Sequence, residues 1–596
     1  MLSARTRANR AHQATGQGMG GTGAASERMV SLADRLAILA ARRARVASGF
    51  VMQPEPRSIG VYAHGKRLTA GHILLAGHLA EAPGTPLWDL APDPAFVAAA
   101  QGFSWLDDLA AFGTPTARRR AQDWTWDWIA RFGTGKGPGW SPELTGRRII
   151  RWIHHATFLL TARNRAQTDA FHRALSLQAA FLSRRWKGAP PGLPRFEALA
   201  GLIHAGLLLI GMERLIAPAT AALAGACDAD IDGAGGIPSR NPEELMDILT
   251  LLTWSATTMT ETGHPVPDAL SRAITRTAPT LRALRHADGT LARFHGGDRG
   301  IEGRLDQALA AAGARLAAPP AIAMGFARLS GRRTSVIVDA SAPPAGRAAL
   351  TAHASTAAFE LTSGRRPLVV SCGAGDEFGP AWRLAARATQ SHSVLCLEGV
   401  SSSRLSAAGD ALQYRAAVTE SRLIQGHEGS DLYIAHDGWL SSHGLTAGRS
   451  LTLSHDGRRL SGVETLTALT AEARRRFEEV MSQTRMDGTG FAVRFHLHPE
   501  VEATLDTAGT AVSMLLRSGE IWLFRATGPV VLSLEPSAYL EKGRLDPRPC
   551  RQIVLRGQVR TFETRIGWTL AKAQDTPLAI RDLEGAEAGD PLGLGG

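Results

Sequence analysis

Apolar positions recur at three- to four-residue spacing through the first half of the chain. Leu32, Leu36 and Leu39 open the pattern, and Ile149, Ile150, Ile153, Phe158, Leu159 and Leu160 continue it. The spacing predicts helices over roughly 166–186, 195–226, 241–262, 266–285 and 303–315. Gly188-Ala189-Pro190-Pro191-Gly192 and Gly235-Gly236-Ile237-Pro238 separate them. No fixed-period repeat of the solenoid kind is visible, so successive helices build either a solenoid without sequence repeats or a closed ring. After Leu316-Ala317-Ala318-Pro319-Pro320 the period changes. Thr334–Val338, Pro367–Val370, Ser393–Cys396, Leu412–Tyr414, Ser450–Ser454, Phe491–Phe495 and Glu520–Phe524 are strand-like, and His455-Asp456-Gly457-Arg458 is a hairpin turn. Many short strands between turns predict a β-sandwich and not a parallel sheet.

A chain of 596 residues exceeds one ordinary core, so two large domains are expected. Apolar content of 44% and charged content of 20% are those of a globular protein. The net charge is +11, and only five of the 66 basic residues are lysine. An arginine excess beside abundant alanine and glycine fits coding bias, and equally fits a surface that gathers polyanions. Residues 1–28, with Arg5, Arg7 and Arg10, read as a disordered basic leader. They lack the apolar stretch of about 7–15 residues that a secretory signal needs. Ala198 to Met212 is too short to span a bilayer and reads as a buried helix, so no transmembrane segment is expected. The four cysteines form no Cys-x-x-Cys pair, which argues against a zinc cluster of that kind; a Cys372–Cys396 bridge stays open. Nine of the thirteen tryptophans lie at or before Trp254. Trp124, Trp126 and Trp128 either pack between helices or offer a platform on which sugars stack.

Family resemblance enters with Ala352-His353-Ala354-Ser355, leading through Phe359-Glu360-Leu361 to Val369-Val370-Ser371-Cys372-Gly373. The run continues through Arg387 and Ser391-His392-Ser393 to Leu397-Glu398-Gly399. It resembles the heparinase II/III-type polysaccharide lyases. His436-Asp437-Gly438-Trp439, followed by Gly444-Leu445 and Arg449, resembles that family's His-Asp-Gly-Tyr…His-x-Arg stretch. Asp288-Gly289 with Phe294-His295 resembles its Asp-Gly…Phe-Asn segment. The resemblance implies an α+β multidomain fold: an N-terminal (α/α) incomplete toroid over 29–315, then a C-terminal antiparallel β-sandwich over 321–585 and a frayed tail over 586–596. It also implies β-elimination on a uronic-acid polymer. A base removes the C5 proton, the developing enediolate is neutralised, and an acid assists departure of the C4 oxygen. In the family an Asn or His and a Tyr of the toroid work with a sandwich His, and in some members a zinc held by two His and an Asp supports the fold.

The departures from that pattern matter as much. Leu193-Pro194-Arg195-Phe196-Glu197 stands where the family has its Asn-His, keeping only the later acid. Glu244 stands at the tyrosine, Thr351 at the first His of a His-x-His pair, and Ser371 at the zinc carboxylate. Glu244, Glu197, His295 and His353 are therefore the catalytic candidates. Arg240, Asn241, Arg299, Arg449 and Trp439 are the substrate-binding candidates, because guanidinium matches carboxylate geometry. His353 and His392 are the candidate metal ligands for zinc, short of the three a tight site needs. Each has a plainer alternative: Glu244 a first-turn helix acid behind the N-cap Asn241, Glu197 a surface partner of Arg195, His295 a solvated loop histidine, and His353 and His392 hydrogen-bonded residues inside the sandwich. His496-Leu497-His498 places two imidazoles on one strand face, again either metal-like or core. The expected function is lyase action on an acidic polysaccharide. The alternatives are a catalytically degenerate glycan-binding or envelope-assembly protein, and a toroid hydrolase with two carboxyls about 5–10 Å apart. Nucleic acid is not an expected partner, since no binding motif accompanies the charge. The resemblance implies the cell envelope or periplasm, and the missing signal leaves the cytoplasm open.

Overall fold

A computed structural model describes residues 31–81, 84–313, 320–406, 409–483 and 487–577. The expected leader (1–28), the stretch 314–319 between the domains and the expected tail (586–596) lie outside the described residues. Helices dominate up to Ala311, among them Pro115–Phe132, Pro142–His154, Arg165–Arg185, Leu193–Leu208, Pro242–Glu261 and Asp268–Ala283. Asn164 starts Arg165–Arg185 with a capping box, and Asn241 caps Pro242–Glu261 by accepting from the Glu243 and Glu244 amides. The single helix expected over 195–226 is two, Leu193–Leu208 and Ile216–Asp230. The break has a physical cause. Leu209 forms a β-bridge with Phe50, the Ile210 amide donates to the Gly49 carbonyl, and Gly211 takes φ +92°.

Trp124, Trp126 and Trp128 pack into the helical core. Trp105 meets Trp124 edge-on at 5.1 Å, Trp128 meets Trp152 at 5.4 Å, and Trp126 stacks on Phe171 at 6.2 Å. Arg148, fully buried, lies 4.2 Å over the Trp128 ring and donates to Gln178 and to the carbonyls of Gln101 and Gly139. No carboxylate is among these partners, and burial pulls its pKa down to about 9. Packing between helices thus absorbs all three rings that sequence left open as a sugar platform.

The second half is two antiparallel sheets face to face. One runs Val418–Gln425, Gly429–Trp439, Leu445–Ser454, Arg459–Thr467, Glu563–Gln574, Ile521–Thr527, Ala511–Leu515, Glu502–Leu505. The other runs Val531–Tyr539, Arg548–Val559, Thr489–Leu497, Arg366–Val370, Phe359–Ser363, Thr334–Asp339, Phe326–Gly331, Ile322–Ala323, with Leu395–Leu397 added on Thr489–Leu497. The predicted hairpin at His455–Arg458 pairs Leu453 with Leu460. Between the sheets Trp568 stacks on Phe359 at 5.7 Å and meets Phe495 edge-on at 4.8 Å. A buried ion pair is embedded there. Arg449 donates to Glu464 at 2.8 Å and to the carbonyls of Ala357 and Ser393, and the Trp568 indole donates to Glu464. The Cys372–Cys396 bridge that sequence left open is not formed; all four cysteines are free thiols.

Both members of the Arg449–Glu464 pair are almost solvent-free, so removing one charge strands the other. Glu464→Gln is expected to cost about 3–5 kcal/mol in urea unfolding. A loss under about 1 kcal/mol would show that water reaches the pair.

Candidate functional site

Three places bring the chemistry-bearing residues together. The first is a cavity of about 270 Å³ in the helical domain, lined by Ser58, Asp107, Arg147, Arg151, Glu197, Asp247, Trp254 and Arg304 among others. Its walls are set by a close helix crossing. Gly146 and Gly201 let Pro142–His154 and Leu193–Leu208 meet backbone to backbone; a Cβ on Gly146 would sit 2.2 Å from the Glu197 carbonyl oxygen. That contact presents Arg147 to Glu197, with which it pairs. Deeper in, Asp107 accepts from Ser58 Oγ at 2.7 Å and Arg151 Nε at 3.0 Å, with His155 Nε2 at 2.9 Å. Burial raises the Glu197 pKa against the pull of Arg147. Burial, then repulsion from Glu243, pushes the Asp247 carboxyl up to about 7. The cavity therefore couples a carboxyl that is part-protonated near neutrality to arginine cations.

The second place is a buried seam between the domains. His295, in left-handed backbone at φ +51°, accepts the His353 amide on Nδ1 at 3.2 Å and faces Asp339 Oδ2 with Nε2 at 3.4 Å. Asp339 also takes Arg240 Nη2 at 2.5 Å and Ser355 Oγ at 2.7 Å. Burial opposes ionisation of Asp339, but Arg240, His295 and Ser355 outweigh it and hold its carboxyl well below the usual range. The His353 and His392 rings lie 5.2 Å apart, and His392 Nδ1 bonds Ser371 Oγ at 3.1 Å. His295, His353 and His392 are 0%, 3% and 0% exposed. The third place is an open groove of about 840 Å³ between Ile59–His64 and Arg299–Glu302 on one side and Glu500, Arg517 and Glu541–Arg548 on the other. There Glu541 is shared by Arg299, Arg544 and Arg548.

These placements sort the expected residues. Arg299 and Glu197 line cavities. Glu244 is half-buried, with Oε1 accepting the Leu193 amide at 3.3 Å, so it ties one helix start to another. Asn241 is spent on its cap. Arg240 is a structural cation, donating to the Met324, Gly325 and Ala342 carbonyls as well as to Asp339. Arg449 is locked on Glu464, and Trp439 is fully buried with its indole on the Val400 carbonyl. For these three, burial closes the route to a substrate that the sequence reading expected. His295 and His353 are sealed in the same way. His496 bonds Ser537 and the Gln390 carbonyl, and His498 packs on Tyr539, so the strand pair is core.

Asp107, Arg147, Arg151 and Asp247 escaped the sequence reading. The available signal was the i, i+4 spacing of Arg147 and Arg151, which puts both on one helix face.

A zinc site does not fit these residues. Among the described residues no group of three or more His, Cys, Asp or Glu could hold a metal ion. Ser371 replaces the carboxylate and engages His392, while Asp339 is committed to Arg240 and Ser355.

A ring of helices closed onto a two-sheet sandwich, with charge concentrated where they meet, defines the architecture of the toroid-type polysaccharide lyases. Residues 314–569 match the family model "Heparinase II/III-like, C-terminal". The chain is 33% identical over 541 residues to FtsZ-localized protein C of Caulobacter vibrioides, covering 87% of this chain and 89% of that one. Heparinase III superposes with TM-score 0.66 at 11% identity, covering 90% of this chain and 89% of that one. Heparan sulfate lyase HepC of Pedobacter heparinus gives 0.54 at 14%, covering 91% and 89%. The chain belongs to the heparinase II/III-like family; the two lyase structures, at such low identity, speak to the fold alone.

Buried neutral histidines make stability pH-dependent. Burial lowers His204, His436 and His496 to about 4, below the roughly 6.5 of an unfolded histidine. The unfolded chain therefore binds more protons, and stability is lost as pH falls below about 6.5, by about 1 kcal/mol per histidine per pH unit. The depressed carboxyls of Asp339, Asp298 and Glu360 add a further loss below about pH 4. Urea midpoints measured from about pH 7 to 4 should fall throughout; a flat profile down to about pH 5 would contradict neutral burial.

Proposed function

We propose that this protein is a catalytically degenerate member of its family that binds acidic glycan and serves assembly at the cell envelope, at sites marked by FtsZ. The observation that carries the reading is the sealing of His295, His353 and His392, none of which can reach a proton on a polymer. Glu244, at the position of the family's tyrosine, holds the start of Leu193–Leu208. Binding is supported by the open groove, where Arg299, Arg544 and Arg548 gather on the carboxylate of Glu541 and offer guanidinium donors to a uronate or sulfate, in a lining whose five cations face five acids. The link to FtsZ draws on the name of the Caulobacter relative, and the envelope location on the family resemblance alone.

A second reading, lyase action on a uronic-acid polysaccharide, is favoured by the cavity holding Glu197 and Asp247. A proton donor near neutrality beside Arg147 and Arg151 has the elements of acid catalysis with carboxylate neutralisation.

The two readings separate in one assay. Purified protein is mixed with a panel of uronic-acid polysaccharides, and the ultraviolet absorbance of unsaturated product is followed beside a binding measurement. The proposal expects a flat absorbance trace, with binding that Arg299→Ala/Arg548→Ala weakens about 10-fold. Absorbance that rises with wild type and vanishes in Asp247→Asn would replace the proposal with the lyase reading.

A further inference from the structure

Three turns meet at one end of the sandwich, and each carries arginine. Gly331-Arg332-Arg333-Thr334 joins Phe326–Gly331 to Thr334–Asp339, and Ser363-Gly364-Arg365-Arg366 joins Phe359–Ser363 to Arg366–Val370. His455-Asp456-Gly457-Arg458 joins Leu445–Ser454 to Arg459–Thr467 in the other sheet. The turns touch. The Gly364 amide donates to the Arg333 carbonyl at 2.8 Å, and Thr334 Oγ1 donates to the Gly457 carbonyl at 2.7 Å. A Cβ on Gly331 would sit 2.7 Å from the Gly457 Cα, so the two sheets present their tips as one surface. Arg332, Arg333, Arg365 and Arg459 are exposed on it, and Arg458 is half-buried.

These arginines differ from those of the domain seam, which sit on carboxylates. Among the described residues no ion pair holds Arg332, Arg333 or Arg365. The acids at this end are already engaged: Asp575 pairs with Arg458, and Asp456 accepts the Ser454 hydroxyl and the Arg458 amide. Arg332 also holds left-handed backbone at φ +42°, as the first central residue of its two-residue turn. Glycine and asparagine fill that place without strain. Neither burial nor an ion pair rewards an arginine there, which points to a ligand beyond the described residues.

The course of the chain says which ligand. Glu563–Gln574 runs toward this end, where Ala571 pairs with Arg459 and the Lys572 amide donates to the Arg458 carbonyl at 2.8 Å. The described residues stop just beyond, at Pro577. Residues 578–596 follow with Asp582, Glu584, Glu587 and Asp590, against Arg581 as their one base. Asp582 stands seven positions beyond Asp575, a reach of at most about 25 Å in extended chain. The acids therefore leave the fold beside the arginines. Guanidinium matches carboxylate in bidentate geometry. A tether this short holds the acids at an effective concentration on the order of millimolar. Each exposed pair is weak, and several at that concentration favour the docked state.

We infer that the three arginine-bearing turns are the docking surface for the chain's own acidic C-terminal segment, whose Asp582, Glu584 and Glu587 pair with Arg332, Arg333 and Arg365. None of these arginines lines the groove around Glu541. The inference thus goes beyond the glycan reading, and its failure would leave that reading untouched.

The test is limited digestion of the full chain by a glutamate-specific protease in low salt. Release of the residues beyond Glu584 and Glu587 is followed by mass spectrometry, with a synthetic peptide of residues 578–596 as the undocked standard. Wild type should be cut about 10-fold more slowly than the peptide, and about 0.5 M sodium chloride should abolish the difference. Arg332→Ala/Arg333→Ala/Arg365→Ala should be cut at the peptide's rate. It should keep the wild-type melting temperature, because the three side chains are exposed. Arg333→Glu/Arg365→Glu should be cut fast as well. Adding Asp582→Arg/Asp590→Arg to it, which leaves both cleavage sites in place, should bring the protection back. A wild-type segment cut as fast as the free peptide would overturn the docking. Protection that survives high salt or the triple variant would overturn the arginine surface as its seat.

Discussion

The carboxylate of Asp339 is the interaction on which the arrangement of the two domains depends. It sits on a sandwich strand with no solvent exposure and takes Arg240 from the helical domain, faces His295 from the connecting loop, and takes Ser355 from its own domain. Such a charge is tolerable in an apolar interior only when its partners are fixed. The same logic repeats nearby. Glu360 takes the Arg293 amide and faces His286, and Lys542 reaches across to Glu243. Each pair needs both domains, so the domains sit in one relative orientation.

That seam also accounts for where several of the expected site residues are used. Arginine and histidine side chains that the family resemblance would spend on a polymer are spent here on holding domain to domain. Arg240 donates to three carbonyls and a carboxylate, which commits four of its five N–H donors to structure. His392 turns to Ser371 where a metal would need a third anionic donor. Open charge moves elsewhere, to the groove around Glu541 and to the small cavity around Asp247.

Much of this was legible in the sequence. The change of hydrophobic period after Ala318 separated helices from strands, and the His455–Arg458 turn lies where predicted. The helix over 195–226 failed because a long-range bridge from Phe50 to Leu209 outcompetes local propensity there. Candidate residues fared differently for one reason: motif position says which segment a side chain belongs to, but not whether solvent reaches it. Trp439 and Arg449 sit in a family-like stretch and are interior. Asp247 sits in no motif, yet it faces the cavity, because three-dimensional desolvation has no local signature.

Scanning calorimetry of wild type beside Asp339→Asn tests the central claim most directly. The account predicts that wild type unfolds in one transition spanning both domains, and that Asp339→Asn splits it into two, with the first at lower temperature. A single, unshifted transition in the variant would contradict the claim that this carboxylate joins the domains.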